Sequence, residues 1–258
     1  MSFMNILILS FIEGLTEFLP ISSTGHLIIT SHLLGIGEDQ FVKNFNIIIQ
    51  FGAILSVLVL YWRTFLPNLS FYKKLFIAVI PAVVLGLAIK SKIDLLLSSV
   101  SIVGWSLVGG GIILLFVDQY FENQKKISLD QLPLTQFLVL GLTQCLAFIP
   151  GISRSGATIV GGMSLGLSKK DAAEFSFFLA VPTLAGASLL KTLGILKTIQ
   201  SDQIQALIIG FILSFIFALI AIKFFIAIVS KYGFKYFGIY RIILGTLILG
   251  LFYGGIIS

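Results

Sequence analysis

Charge is what this chain has least of. Only 11% of its 258 residues are Asp, Glu, Lys or Arg, against about a quarter in an ordinary soluble domain. With 57% hydrophobic residues and a mean hydropathy of +1.08, the chain cannot bury its apolar surface in a water-exposed globule. It falls in the membrane class. A single cysteine, Cys145, excludes an intrachain disulfide and reads as a small buried hydrophobe. No Lys or Arg precedes Lys43, so the start lacks a basic n-region and no cleavable signal peptide is expected. The net charge of +6 is scattered over segments that flank apolar runs. That distribution fits membrane lipids as partners and excludes nucleic acid.

What the chain does have is long apolar runs. Six of them, at roughly 44–62, 75–90, 99–117, 173–195, 204–229 and 239–257, are long enough to cross a bilayer. Residues 4–35 and 134–167 are apolar too, but each is interrupted, at Glu13–His26 and at Pro150–Ser155. The arms beside each break would reach only about 20 Å as helix, at about 1.5 Å per residue. That is too short for a hydrocarbon core about 30 Å thick. They read as re-entrant hairpins whose tips need protein or water around them. The expected fold is an all-α polytopic membrane protein: six transmembrane helices plus two re-entrant helical hairpins in an inverted repeat.

The repeat is written in the breaks. Gly14-Leu15-Thr16-Glu17 matches Gly141-Leu142-Thr143-Gln144. Pro20-Ile21-Ser22-Ser23-Thr24-Gly25 matches Pro150-Gly151-Ile152-Ser153-Arg154-Ser155-Gly156 with one insertion, and Phe45-Asn46 pairs with Phe175-Ser176. The expectation is one membrane domain over 1–258, with repeats of about 1–125 and 126–258. Three spans per repeat would invert the second repeat. With termini outside, the inner loops would hold Arg63, Lys73, Lys74, Lys125, Lys126, Lys169, Lys170, Lys231, Lys235 and Arg241. The outer side would hold Lys43, Lys90, Lys92, Lys191 and Lys197. Ten against five follows the positive-inside rule. Inverted repeats with broken helices place a site near the midplane.

Both tips carry polar chemistry. Glu13 and Glu17 are four apart, hence on one helix face. Bare carboxylates in a low dielectric cost several kcal/mol each, a cost that a divalent cation, Arg154 or a shared proton would remove. Ser22, Ser23 and Thr24 follow Pro20 and could cap the next helix. Ser23 also lies three before His26, which permits a hydroxyl beside a base, whereas His32 reads as structural. At the second tip, glycine, hydroxyls and a helix N-terminus form an anion site. Arg154 adds a planar fork suited to phosphate, or serves as counter-ion to the carboxylates. Together the tips suit phosphoryl transfer on a lipid-borne phosphate. The rival is a transporter or flippase of a phosphorylated lipid or anion, which needs the anion site but neither the paired carboxylates nor Ser23 beside His26.

Glu13-Gly14-Leu15-Thr16-Glu17-Phe18-Leu19-Pro20, Ser22-Ser23-Thr24-Gly25-His26, Pro150-Gly151 and Ser153-Arg154-Ser155-Gly156-Ala157-Thr158 resemble the two signatures of the bacitracin-resistance-type undecaprenyl-diphosphatases. The likeness continues through Ile80–Gly86 and Glu174-Phe175-Ser176-Phe177. It implies hydrolysis of undecaprenyl diphosphate, a polyprenyl diphosphate lipid, to the monophosphate and phosphate. That reaction recycles the carrier for peptidoglycan synthesis and confers bacitracin resistance. It also implies a divalent cation, Mg2+ or Ca2+, a bacterial plasma-membrane location and a site open to the outer face; a homodimer is compatible with it. By position, Glu13 and Glu17 would be the essential acids and metal ligands. Ser23 would be the nucleophile, with Ser22 its rival, and His26 the base or acid. Arg154 would bind the diphosphate with Ser22, Thr24, Gly151, Ser153, Ser155 and Thr158. Asn46 stands where relatives often carry Glu; with Gln50, one turn later, it would support the acids from behind.

Overall fold

In a computed structural model of the protein, residues 1–66, 68–97, 99–195 and 200–257 are described. The expected loop charge Lys197 lies outside them. The chain folds as helices: α1 (Phe3–Thr16), α2 (Ser23–Leu33), α3 (Gln40–Leu60), α4 (Leu69–Ala88), α5 (Lys90–Leu97), α6 (Val100–Tyr120), α7 (Leu134–Cys145), α8 (Arg154–Ser164), α9 (Lys169–Ile195), α10 (Ser201–Tyr232) and α11 (Lys235–Tyr253). Starts are set by short polar side chains that accept orphan backbone N–H groups. Ser2 accepts from Asn5 N at 3.2 Å, Asp39 from Phe41 N at 2.8 Å and Asn68 from Phe71 N at 3.1 Å. These caps begin α3 and α4 several residues before the apolar runs that announce them. The Lys90–Asp94 stretch, expected as a loop, is the short helix α5. Pro81 and Pro182 lie inside helices, as neighbouring structure allows in membrane helices.

Five helices are long and apolar enough to cross a membrane among the described residues: α3, α4, α6, Gln203–Tyr232 of α10, and α11. The chain is therefore a multi-pass helical membrane protein. α9, with 27 residues, covers the sixth expected span without belonging to those five. α1, α2, α7 and α8 have 14, 11, 12 and 11 residues, too few for a core about 30 Å thick at about 1.5 Å per residue.

The chain forms two compact units. The first comprises Met1–Leu19, Ser23–Pro67 and Ala180–Phe224. Its core is Ile6, Leu9, Leu27, Val42, Phe45, Ile49 and Leu207, drawn from α1, α2, α3 and α10. Lipid tails are as apolar as these side chains, so helix association relies on close packing and small residues. Gly52 on α3 is one such contact, since a Cβ there would lie 2.2 Å from Phe211 O.

The second unit comprises Pro20–Ser22, Asn68–Leu179 and Phe225–Ser258. Its interior is lined by edge-on aromatic pairs, Phe137 with Phe175 at 5.4 Å and Phe71 with Phe178 at 5.6 Å. Asp118 joins α6 to the start of α11, accepting from Phe234 N at 2.6 Å and pairing with Lys169 at 2.8 Å. Two of the expected inner-loop charges are not loop charges at all. Lys74 is buried on α4 and reaches Asp130 at 2.7 Å. Arg241 lies inside α11 and is only 1% exposed. Without these two, the expected bias of ten against five becomes eight against five, in the same direction.

Candidate active site

The first break is narrower than the sequence suggests. α1 continues through Glu13 to Thr16 with Glu17 as its C-cap, and the turn to α2 spans only residues 18–22. Glu17 keeps αR angles, and its N–H donates to Glu13 O at 3.0 Å. That extra turn is what stacks the two carboxylates on one face. Glu13 is fully buried and Glu17 is 6% exposed. α2 then begins at Ser23, and His26 is buried one turn into it. Thr24, by contrast, is exposed.

The Ser23 hydroxyl donates to Glu17 Oε2 at 2.5 Å. An O–H···O⁻ bond that short is of the charge-assisted kind. Sequence spacing pairs Ser23 with His26; the structure adds a carboxylate acceptor six residues upstream. Behind Glu17, Gln50 Nε2 donates to the same Oε2 at 3.5 Å, and Ser188 Oγ donates to Gln50 Oε1 at 2.9 Å. Ser188 thereby fixes which end of the Gln50 amide faces the acid. Asn46 sits one turn before Gln50, its buried Oδ1 without a hydrogen-bond partner among the described residues. Ser188 escaped the sequence reading because nothing local marks it; it is brought in by α9.

The second tip lies in the second unit, which also includes Pro20–Ser22 of the first tip. α7 ends at Cys145, whose thiol donates to Gly141 O at 3.2 Å; the side chain is half-buried rather than buried as expected. A single 3-10 turn, Leu146–Phe148, follows, and α8 opens at Arg154. Ser153 caps α8, accepting from Gly156 N at 3.2 Å, and lies 3.0 Å from Ser155 Oγ. Gly151 has φ +90°, and a Cβ there would meet Val103 O at 2.5 Å, so only glycine fits. Arg154 Nη1 donates to Ser176 O at 2.7 Å and Ser176 Oγ at 3.2 Å. Thr158 Oγ1 sits 2.7 Å from Ser176 Oγ and 2.9 Å from Arg154 O. It thus braces the arginine's anchor. Ser176 is a member of this cluster that the sequence reading did not single out. The signal was available, because Ser176 is the repeat partner of Asn46.

The two tips share one backbone feature. Ser22 and Ser153 are the only non-glycine residues with positive φ among those described, at 71° and 73°. Each immediately precedes a helix. A non-glycine residue held there costs on the order of 1–3 kcal/mol, and such strain clusters at functional sites.

Two buried carboxylates one turn apart are hard oxygen donors of the kind Mg2+ and Ca2+ take. Among the described residues there is no group of three or more His, Cys, Asp and Glu that could hold an ion. Two carboxylates are compatible with an ion that also takes oxygens from substrate phosphates.

A helical, multi-pass membrane fold with a buried acid–hydroxyl pair in one unit and an arginine-bearing helix N-terminus in the other defines the class: a membrane protein equipped for phosphate chemistry. The chain belongs to the family of bacitracin resistance protein BacA, whose model matches residues 6–247. It is similar to the undecaprenyl-diphosphatase of Bdellovibrio bacteriovorus, 54% identical over 257 residues that cover 99% of this chain and 98% of that protein. The undecaprenyl-diphosphatases of Flavobacterium psychrophilum (54% identity, 96% of this chain and 95% of that one) and Aquifex aeolicus (43%, with 95% and 96%) are further relatives.

Proposed function

We propose that the protein hydrolyses undecaprenyl diphosphate to undecaprenyl phosphate and inorganic phosphate. The reaction returns the lipid carrier to peptidoglycan synthesis and removes the target of bacitracin. The observation that carries this reading is the 2.5 Å hydrogen bond from Ser23 to Glu17 inside the polar break of residues 13–26. A transport site has no need of an activated hydroxyl.

In this mechanism Ser23 Oγ attacks the terminal phosphorus while its proton passes to Glu17. The bond to the bridging oxygen breaks and undecaprenyl phosphate leaves. Water, with His26 taking its proton, then attacks the phosphoserine; the bond to Ser23 Oγ breaks, Glu17 returns its proton to that oxygen, and phosphate is freed. Gln50 and Ser188 hold Glu17 in register. Arg154, steadied by Ser176 and Thr158, supplies guanidinium donors to the diphosphate oxygens, with the Ser153–Ser155 hydroxyls beside it. Glu13 and Glu17 would hold a divalent cation, which when bound neutralises phosphate charge. Six spans and two re-entrant hairpins in an inverted repeat, with the site open to the outer face of the plasma membrane, complete the reading. It is supported by the short α1–α2 and α7–α8 pairs and by the charge bias.

The test is purified protein in detergent with undecaprenyl diphosphate. Release of one phosphate per lipid, dependent on a divalent cation, is expected. Binding of the lipid with no phosphate release, together with its transfer across a vesicle bilayer, would point to a flippase.

A further inference from the structure

Arg241 is the largest fully buried side chain of the described residues, yet no substrate role calls for it. It spends its donors on backbone carbonyls. Nη1 donates to Pro20 O at 2.9 Å and to Ile152 O at 2.8 Å; Nη2 donates to Gly151 O at 2.8 Å and to Ser106 O at 3.0 Å; Nε donates to Leu107 O at 3.3 Å. Space for the guanidinium is made by Gly110, where a Cβ would lie 2.2 Å from Nη2.

Two of these carbonyls correspond. When the repeats are aligned on Ser22 and Ser153, the two positive-φ serines, Pro20 falls on Gly151. One guanidinium therefore holds the equivalent carbonyl of both tips, two residues before each strained serine. Positive φ at a serine persists only where the surroundings over-determine it; three of the fork's hydrogen bonds hold the tips, at Pro20, Gly151 and Ile152, and two anchor the fork to α6. A buried guanidinium is costly unless its donors are satisfied. Its retention here is explained by the geometry it imposes.

We propose that Arg241 is the positioning residue of the reaction: by tying Pro20 to Gly151 and Ile152, it sets the backbone that leads into the two strained serines, Ser22 and Ser153. This rests on the phosphatase reading for its effect on rate, but the tie between the tips stands by itself. Lysine cannot reproduce the fork, so Arg241→Lys keeps the charge and loses the tie. Gly110→Ala displaces the guanidinium without removing it.

The experiment compares parent, Arg241→Lys and Gly110→Ala by phosphate release and by amide hydrogen exchange. Both variants are expected to lose kcat by about tenfold or more while KM for the lipid changes less than threefold. Amides of residues 20–23 and 151–155 should exchange faster together in both variants, with α3 unchanged. Unaltered exchange at either tip, or a kcat that is normal for the folded fraction, overturns the proposal. If the parent itself releases no phosphate, the phosphatase reading fails while the exchange result still decides the role of Arg241. If Arg241→Lys does not fold, Gly110→Ala carries the test.

Discussion

At the scale of residues, Ser23 and Ser22 divide two tasks. Ser23 has its hydroxyl on Glu17, poised for transfer; Ser22 spends backbone energy at φ 71°. Ser23→Ala is expected to abolish phosphate release. Ser22→Gly relieves strain and should raise the stability of the purified protein by about 1 kcal/mol, read as a higher melting temperature in detergent, and a lower one would contradict the strain. Arg154→Lys keeps a charge but not the fork that both grips Ser176 and faces phosphate. A loss on the order of a hundredfold in kcat/KM is expected; a near-parental rate would leave Arg154 a purely structural role. Gln50→Leu should cost about tenfold in kcat, the lower end of what outer hydrogen-bond partners contribute. Ser188→Ala, which frees the Gln50 amide to flip, should cost less. A Gln50→Leu rate equal to the parent's would detach this chain from catalysis. The acids, Ser23 and Arg154 were legible because each sits in a polar motif inside apolar sequence. Ser176, Ser188 and Arg241 were not, because their meaning depends on what other helices bring to them. Arg241 in particular looks like a flanking charge: it lies near the start of an apolar run, and only α11 beginning at Lys235 places it in the interior.

At the scale of elements, the apolar runs announced every long helix among the described residues, with ends shifted by a few residues. Run limits follow hydropathy, whereas helix limits follow caps such as Asp39 and Asn68. The break in the first run lies within the expected Glu13–His26 but is narrower, because polar residues do not by themselves end a helix. Close helix packing was not legible at all: a glycine in an apolar run does not declare its partner. Gly52 faces Phe211 O across the α3–α10 contact. Gly52→Ala forces those helices apart and should cost about 1–3 kcal/mol, as overpacking does. The melting temperature in detergent should fall, while Gly186→Ala, which has open space, should leave it unchanged. An equal effect at both positions would contradict the packing.

At the scale of the whole molecule, the first unit carries Ser23 bonded to Glu17 and the second carries Arg154 at the start of α8. Both are carried by a fold whose elements recur in the order short helix, short helix, long helices. The paired motifs are what suggest a repeat in the sequence, and the charge bias is what suggests an orientation. The central claim is that Ser23, held by Glu17, attacks the terminal phosphorus of a lipid diphosphate. Rapid-quench of the purified protein with undecaprenyl diphosphate labelled in its terminal phosphate tests this most directly. The account predicts label trapped on Ser23 within a turnover, absent from Ser23→Ala and strongly reduced in Glu17→Gln. Substantial phosphate release by Ser23→Ala, with no label on the parental enzyme, would contradict it and make water the nucleophile.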